Sequence, residues 1–253
     1  MSQTINDKAF KEKHRLSDTD FTRNRLLNFP TLILYLLNLR KHSNQVELDQ
    51  FLKTINENND NSQHITKSAF IQARKQLSHT AFTELNRQLN GSIYINPQLY
   101  KTWKGFRLCA IDGTSIRLPD ETEITEHFGV QKGRLGKADC TIAMASTFYD
   151  VLNHIVIDSS INHKGTSEKH CAAEHLKYAR YNDLVIYDRG YCAFWFYAHH
   201  IKHNQSFCMR AKANQSLAIK AFVESDKKEA LVTFEPNKPL AGTALNACSW
   251  MVG

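Results

Sequence analysis

The 253-residue sequence is sparing with the residues that punctuate or cross-link a chain: 10 Gly, 5 Pro and 6 Cys. With 42% hydrophobic residues alongside, a packed core is available and intrinsic disorder is excluded as a description of the whole. The cysteines, at positions 109, 140, 171, 192, 208 and 248, form no CxxC pair. That excludes a zinc knuckle or a disulfide framework and fits reduced, mostly buried thiols. His199-His200-x-x-His203 and His170-Cys171-x-x-x-His175 match no closed four-ligand zinc pattern. Both fall on expected helices and read as solvated helix faces or phosphate contacts. No apolar run is long: the strongest, Leu32 to Leu37 with Leu39, is far short of the roughly 20 residues that span a bilayer. The opening MSQTINDKAFKEKHRL is polar, unlike a secretory signal, so a soluble, cytoplasmic protein without a membrane partner is expected. There is no GxGxxG, GxSxG or HExxH. Gly129-x-x-x-Gly133-x-x-Gly136-Lys137 approaches a phosphate loop but has Gln131 and Ala138 where Gly and Ser or Thr belong. Nucleotide hydrolysis, dinucleotide binding, serine hydrolysis and zinc proteolysis thus lose their usual warrants.

What is present is a mildly basic chain long enough for one large or two smaller domains. Lys and Arg number 32 against 25 Asp and Glu, a net +7 spread over both halves, which favours polyanionic partners. Residues 1–97 read as an all-helical domain. Pro30 opens a helix that is apolar nearly all round from Thr31 to Arg40, hence buried. Apolar residues at 46, 48, 51, 52 and 55 keep helical spacing. A polar loop over 56–62 follows. Thr66 caps a helix with Arg74 and Lys75 on its exposed side, and Ser78 caps a last helix that Asn90-Gly91 ends near Leu89. Such helices suit either a DNA-binding module or a packing and dimerisation bundle.

After Pro97 the character changes. Arg107 to Leu118, Cys140 to Tyr149 and His154 to Ile161 read as strands, the last two as a hairpin. Thr166-Ser167 caps a helix over 168–180 with inner residues Ala172, Leu176 and Ala179. Leu184 to Asp188 is a short apolar strand, as in a sheet covered on both faces. A helix over 192–203 and a strand over 206–211 follow. The fold class expected is α/β, a hairpin-bearing mixed sheet flanked by helices. Beyond Lys212, Leu217 to Val223 and Ala230 to Phe234 read as β-prone pieces without obvious partners. Between the second and third strands, Lys132, Arg134 and Lys137 form a basic loop suited to phosphate oxygens or to a solvated turn.

Asp112 lies inside an apolar strand and Asp188 at the end of another. A lone buried carboxylate costs on the order of 1–3 kcal/mol or more unless it is paired or meets a cation. If the two strands are neighbours, the carboxylates converge, and bound Mg²⁺ keeps both ionised. Two such ions activate a water or a 3′-hydroxyl in phosphodiester chemistry.

AIDGTSIRLPD, HFGVQKGRLGKAD, TFYDVLNHIVIDSSI, LVIYDRGY and ITKSAFIQARKQLS together resemble the DDE transposases of bacterial insertion sequences, in the insertion-sequence-four-like group. The resemblance covers most of residues 14–212. It implies an RNase H-like catalytic fold over 98–212, a helical DNA-binding domain over 1–97, and the start of a β-rich insertion over 213–253. It further implies Mg²⁺-dependent cleavage at transposon ends and strand transfer into target DNA by a DNA-bound homodimer. Asp112 and Asp188 map onto the first two carboxylates of the triad. Arg210 and Lys212 fall where the family carries basic residues, and Arg189, Arg74 and Lys75 join Lys132, Arg134 and Lys137 as expected DNA contacts.

The family's third carboxylate sits in a helical Tyr-x-x-Arg-x-x-x-Glu-x-x-x-x-x-x-Lys pattern, and no Tyr follows Tyr197 here. Glu224, Glu229 and Glu235 lie in β-prone sequence instead. The expectation is therefore a C-terminally truncated transposase, stopping on apolar Trp250-Met251-Val252-Gly253, with an RNase H-like domain incomplete and poorly active. The competing readings are a DNA-binding fragment that interferes with the full enzyme and a phosphodiesterase acting on small substrates.

Overall fold

A computed structural model describes residues 2–23, 25–38, 42–55, 64–133, 138–234 and 248–252. The chain divides into two compact units, Met1–Ser92 and Ile93–Gly253. No described helix is long and apolar enough to cross a membrane.

In the first unit, short polar side chains start the helices by accepting from backbone N–H groups that lack helical partners. Helix α1 spans Ser2–Asn6. Asp7 caps α2 (Lys8–His14), and Asn28 caps α3 (Phe29–Leu37), with Pro30 in its first turn. Helix α4 covers Asn44–Ile55, and Thr66 caps α5 (Lys67–Arg74) as expected, accepting from the Ala69 N–H at 3.2 Å. Phe29, Leu32, Ile33 and Tyr35 of α3 are buried with Leu48, Leu52 and Phe70. Tyr35 meets Phe51 and Phe70 edge-on. The expectation that α3 is buried all round is corrected: Leu34 and Leu37 remain 49% and 45% exposed, since a helix on the rim of a bundle covers one face only. Helix α6 (Thr80–Tyr94) runs through Asn90-Gly91 rather than ending there. Asn90 is buried and Gly91 has open space beside it, so tertiary packing overrides a local stop signal. The loop over 56–62 and Arg40 lie outside the described residues.

The second unit is built on β1 (Arg107–Arg117). After it come α7 (Thr122–Phe128), β2 (Val130–Gln131), β3 (Cys140–Asp150) and β4 (Ile155–His163). The chain continues through α8 (Glu168–His175), β5 (Asp183–Tyr187), α9 (Phe194–Lys202) and β6 (Ser206–Met209). The sheet order is β2-β3-β1-β5-β6, with β4 on the other side of β3. Strands β1, β3 and β4 pair antiparallel, while β5 and β6 run parallel to β1. This mixed sheet flanked by helices has the strand arrangement of an RNase H-like fold. One apolar face, with Cys109, Ile111, Phe148, Val185 and Tyr187, packs against Ala172 and Leu176 of the α8 segment and Phe196 of α9. Residues of β1 alternate between this covered face and a more open one, because side chains on a strand point to opposite faces in turn.

Three expectations are corrected. Helix α8 ends at His175 and passes into a 3₁₀ turn, Leu176–Tyr178, instead of running to Arg180, and Ser167 makes no side-chain cap bond. Leu217–Val223 is a helix, α10, not a strand: Ser216 caps it by accepting from the Ile219 N–H at 3.2 Å, and Ile219 is buried. The partner missing for β7 (Ala230–Phe234) is β8 (Cys248–Val252), paired antiparallel within the apolar stretch read as a stop. Among the described cysteines, 109, 140, 171, 192 and 208 are all free, with 109 and 171 buried and 208 exposed.

At the N-terminal ends of β1 and β5, Arg107 and Asp183 are register partners and form a bidentate pair at 2.7 and 2.6 Å. Arg107 is 2% exposed and Asp183 0%. The Arg180 N–H donates to the same carboxylate at 2.8 Å, and the Tyr94 ring lies 4.4 Å from the guanidinium. Removal of either partner, Arg107→Met or Asp183→Leu, is expected to destabilise the fold by about 3–5 kcal/mol, because the survivor is a buried unpaired charge. The double replacement recovers most of that loss, which urea midpoints of the three variants will show.

His200 is fully buried, its ring packed against Tyr187, Phe196 and Phe207. The expected solvated helix face is thus corrected for His200, and also for His175, which is 1% exposed. Burial, reinforced by neighbouring His199, pushes the His200 pKa down to about 3. The unfolded chain takes up that proton near pH 6.5, so stability is lost as pH falls from about 6.5 towards about 3. His200→Phe is expected to flatten this loss, with its advantage over the unaltered chain widening between pH 7 and pH 4 in urea titrations.

Candidate active site

The last registered pair of β1 and β5 is Ala110 with Ile186. Two residues further along each chain stand Asp112 and Asp188, level with each other on neighbouring strand positions. Strands in a sheet lie about 4.8 Å apart, so this register brings the two residues together at one sheet edge. Asp188 immediately follows β5 and caps a 3₁₀ turn, Arg189–Tyr191, its Oδ1 accepting from the Gly190 N–H at 2.7 Å. The Oδ1 of Asp112 accepts from the Gly113 N–H at 2.9 Å.

Both aspartates are exposed, which corrects the expectation that burial makes them costly. Position 112 lies on the more open face of β1, and position 188 lies beyond the end of its strand. Their significance rests on proximity instead. Among the described residues no lysine or arginine forms an ion pair with either, so two like charges face each other with one oxygen apiece engaged by backbone. Hard carboxylate oxygens in such an arrangement fit a divalent cation of the magnesium or calcium type. As the side chains stand, no three His, Cys, Asp or Glu among the described residues close on a common point.

The basic residues expected to contact DNA divide by location. Arg189 is exposed directly after Asp188. Arg210 is exposed just past β6, its backbone N–H donating to the Tyr187 carbonyl oxygen at 3.2 Å, and exposed Lys212 follows. These three therefore lie at the same edge of the sheet as the aspartates. Lys132 is remote from that edge, next to the β2–β3 connection, and pairs with Asp139 at 2.9 Å. That pairing lowers the Asp139 pKa and raises that of Lys132. Arg134 and Lys137 lie outside the described residues. Arg74 and Lys75 are exposed at the end of α5 in the other unit.

Sequence reasoning missed the polar network behind the site. His175 Nδ1 donates to Asp158 Oδ2 at 2.7 Å, and its Nε2 lies 3.1 Å from Ser146 Oγ. That hydroxyl is also 3.4 Å from the Asp112 carbonyl oxygen. The network ties α8 to β4, β3 and the backbone of Asp112 itself. Its signal was the stripe Cys171, Ala172, His175, Leu176, whose helical spacing turns His175 inward. Tyr191 was likewise passed over. It is 0% exposed, and burial is the main cause pushing its hydroxyl pKa up.

Among solved structures, the cryo-EM structure of the piggyBac transposase synaptic complex with hairpin DNA is similar at 9% identity and a TM-score of 0.42. That similarity covers 82% of this chain and 48% of that one, so the chain spans about half the length of its relative. The Mos1 transposase paired-end complex with the left transposon end is similar at 13% identity and a TM-score of 0.28, over 69% of this chain and 60% of that one. No curated protein matches the chain. Residues 103–243, more than half of the sequence, match the family described as "Transposase DDE domain". The segment so matched contains both level aspartates and the sheet that carries them, and the chain belongs to that transposase DDE domain family.

Proposed function

We propose that the chain is the DNA-processing part of a bacterial insertion-sequence transposase of the insertion-sequence-four-like group, acting in the cytoplasm. The observation that carries this reading is the β1–β5 register that sets Asp112 level with Asp188 inside the family-matched segment. In this reading the two carboxylates hold Mg²⁺, which when bound activates a water or 3′-hydroxyl and neutralises charge on the departing oxygen. Arg189, Arg210 and Lys212 take phosphate oxygens at the same edge and orient the strand so that one phosphate faces the carboxylates. Lys132, Arg134 and Lys137 hold a further stretch of backbone. The helical unit, through Arg74 and Lys75, binds transposon-end duplex, and two copies hold the two ends for strand transfer into target DNA. A second reading, a DNA-binding chain that occupies ends and interferes with a complete enzyme, draws on the lack of a preformed three-ligand cluster among the described residues.

The test uses a plasmid carrying the chain's own coding region with its flanking DNA. Mobility shifts are expected to weaken steeply with salt, as phosphate contacts require. Mg²⁺-dependent nicking is expected, reduced roughly a hundredfold or more by Asp112→Asn or Asp188→Asn with the shift retained. Nicking that survives both substitutions overturns the proposal. Shift without nicking by the unaltered chain selects the second reading.

A further inference from the structure

Glu168, the first residue of α8, is the acidic group that neither the sequence pattern nor the paired strands single out. An acidic residue in a first helical turn ordinarily serves the helix dipole. Here its side chain also lies against β1 beside Asp112. A Cβ built on Gly113 would sit 3.0 Å from Glu168 Cγ and 3.4 Å from its Cδ. Only the missing side chain at 113 lets this carboxyl group approach the strand so closely. Helix α8 is held in that place from its other end, by the His175 bonds to Asp158 and Ser146.

A second, independent feature lies at the same spot. Tyr191 is fully buried, and its hydroxyl has no hydrogen-bond partner among the described residues. The charges that act on it are those of Glu168, Asp112 and Asp188, in that order, followed by Cys171. A buried hydroxyl left without a partner is expensive, and this one is directed into the field of three carboxylates. A cation with its coordinating waters among those carboxylates gives the hydroxyl an oxygen to bond.

We infer that Glu168 is a third carboxylate of the divalent-cation site, joining Asp112 and Asp188. The inference rests on the metal-binding reading of those two aspartates. The three groups stand apart without a cation because like charges repel, and a bound ion is what draws them together. Glu168 comes from the helix that precedes β5, whereas the triad pattern of the family takes its glutamate from a helix after the sheet. The chain therefore carries a means of retaining a cation within residues 112–188.

Binding of Mn²⁺ to the full chain, followed by electron paramagnetic resonance, tests this without reference to DNA cleavage. The unaltered chain is expected to bind, and Asp112→Asn with Asp188→Asn to abolish binding. Glu168→Gln is expected to raise the Kd roughly tenfold or more, at least the loss that removal of an outer partner brings. Gly113→Ala, which displaces the Glu168 side chain, is expected to weaken binding in the same direction. Glu174→Gln, exposed on the same helix, is expected to leave it unchanged. Thermal melts establish that each variant is folded, and Gly113→Ala decides the matter if Glu168→Gln is not. Unchanged affinity in folded Glu168→Gln, with binding lost in the double aspartate variant, overturns the role of Glu168 alone. No binding by the unaltered chain, or binding that survives the double variant, overturns the two-aspartate reading and the Glu168 role with it.

Discussion

The bidentate contact between Arg107 and Asp183 is the constraint on which the catalytic unit turns. Parallel strands have no hairpin to fix their relative position, so β1 and β5 need some other device to hold register. A buried, fully hydrogen-bonded ion pair is suited to that task because any slip leaves two uncompensated charges in the core. Arg107 and Asp183 are 76 residues apart, and Asp112 and Asp188 each stand five residues further along. Whatever holds the first pair level therefore holds the second pair level. The geometry of the exposed acidic site is set by the sealed basic–acidic pair at the opposite end of the same two strands.

The rest of the architecture completes the edge that this register creates. The hairpin of β3 and β4 widens the sheet on one side of β1, and β5 with β6 widens it on the other. Helices α8 and α9 cover one face through Ala172, Leu176 and Phe196. That leaves the C-terminal ends of β1, β5 and β6 as the place where Asp112, Asp188, Arg189 and Arg210 gather. The turn after β5 has two roles, since Asp188 caps its own 3₁₀ turn with one oxygen and keeps the other available. A carboxylate fixed in this way loses little further freedom on meeting a ligand.

Much of this was legible from residues alone, and the exceptions have physical causes. The strands β1, β3, β4, β5 and β6 showed themselves through alternation or short apolar runs, which report burial directly. Asp112 and Asp188 stood out because charge interrupts those runs. Leu217–Val223 misled because seven residues with Ile, Phe and Val suit either a strand or a helix, and the decision belongs to the Ser216 cap. Asn90-Gly91 misled because a stop signal is local while the continuation of α6 is enforced by packing. Arg107 and Asp183 looked like ordinary charged strand ends, since nothing local reveals a partner 76 residues away. His175 was misplaced because histidine is polar by type, although its neighbours on the helix show an inward stripe.

A comparison among the aspartates of the sheet separates structural from chemical roles. Asp150 is 0% exposed and accepts from the Tyr94 hydroxyl, the Leu152 and Asn153 N–H groups and the Asn153 side chain. Asp183 is equally buried and takes Arg107 twice together with the Arg180 N–H. In both, each oxygen is engaged, as a buried charge requires. Asp112 and Asp188 differ on both counts: they are exposed, and each has a single backbone bond to one oxygen. A fold that satisfies its buried carboxylates so thoroughly leaves these two half-engaged where they repel each other. That repulsion is relieved by a cation and by nothing else among the described residues, so the acidic edge is arranged for a ligand and the acidic interior for the fold.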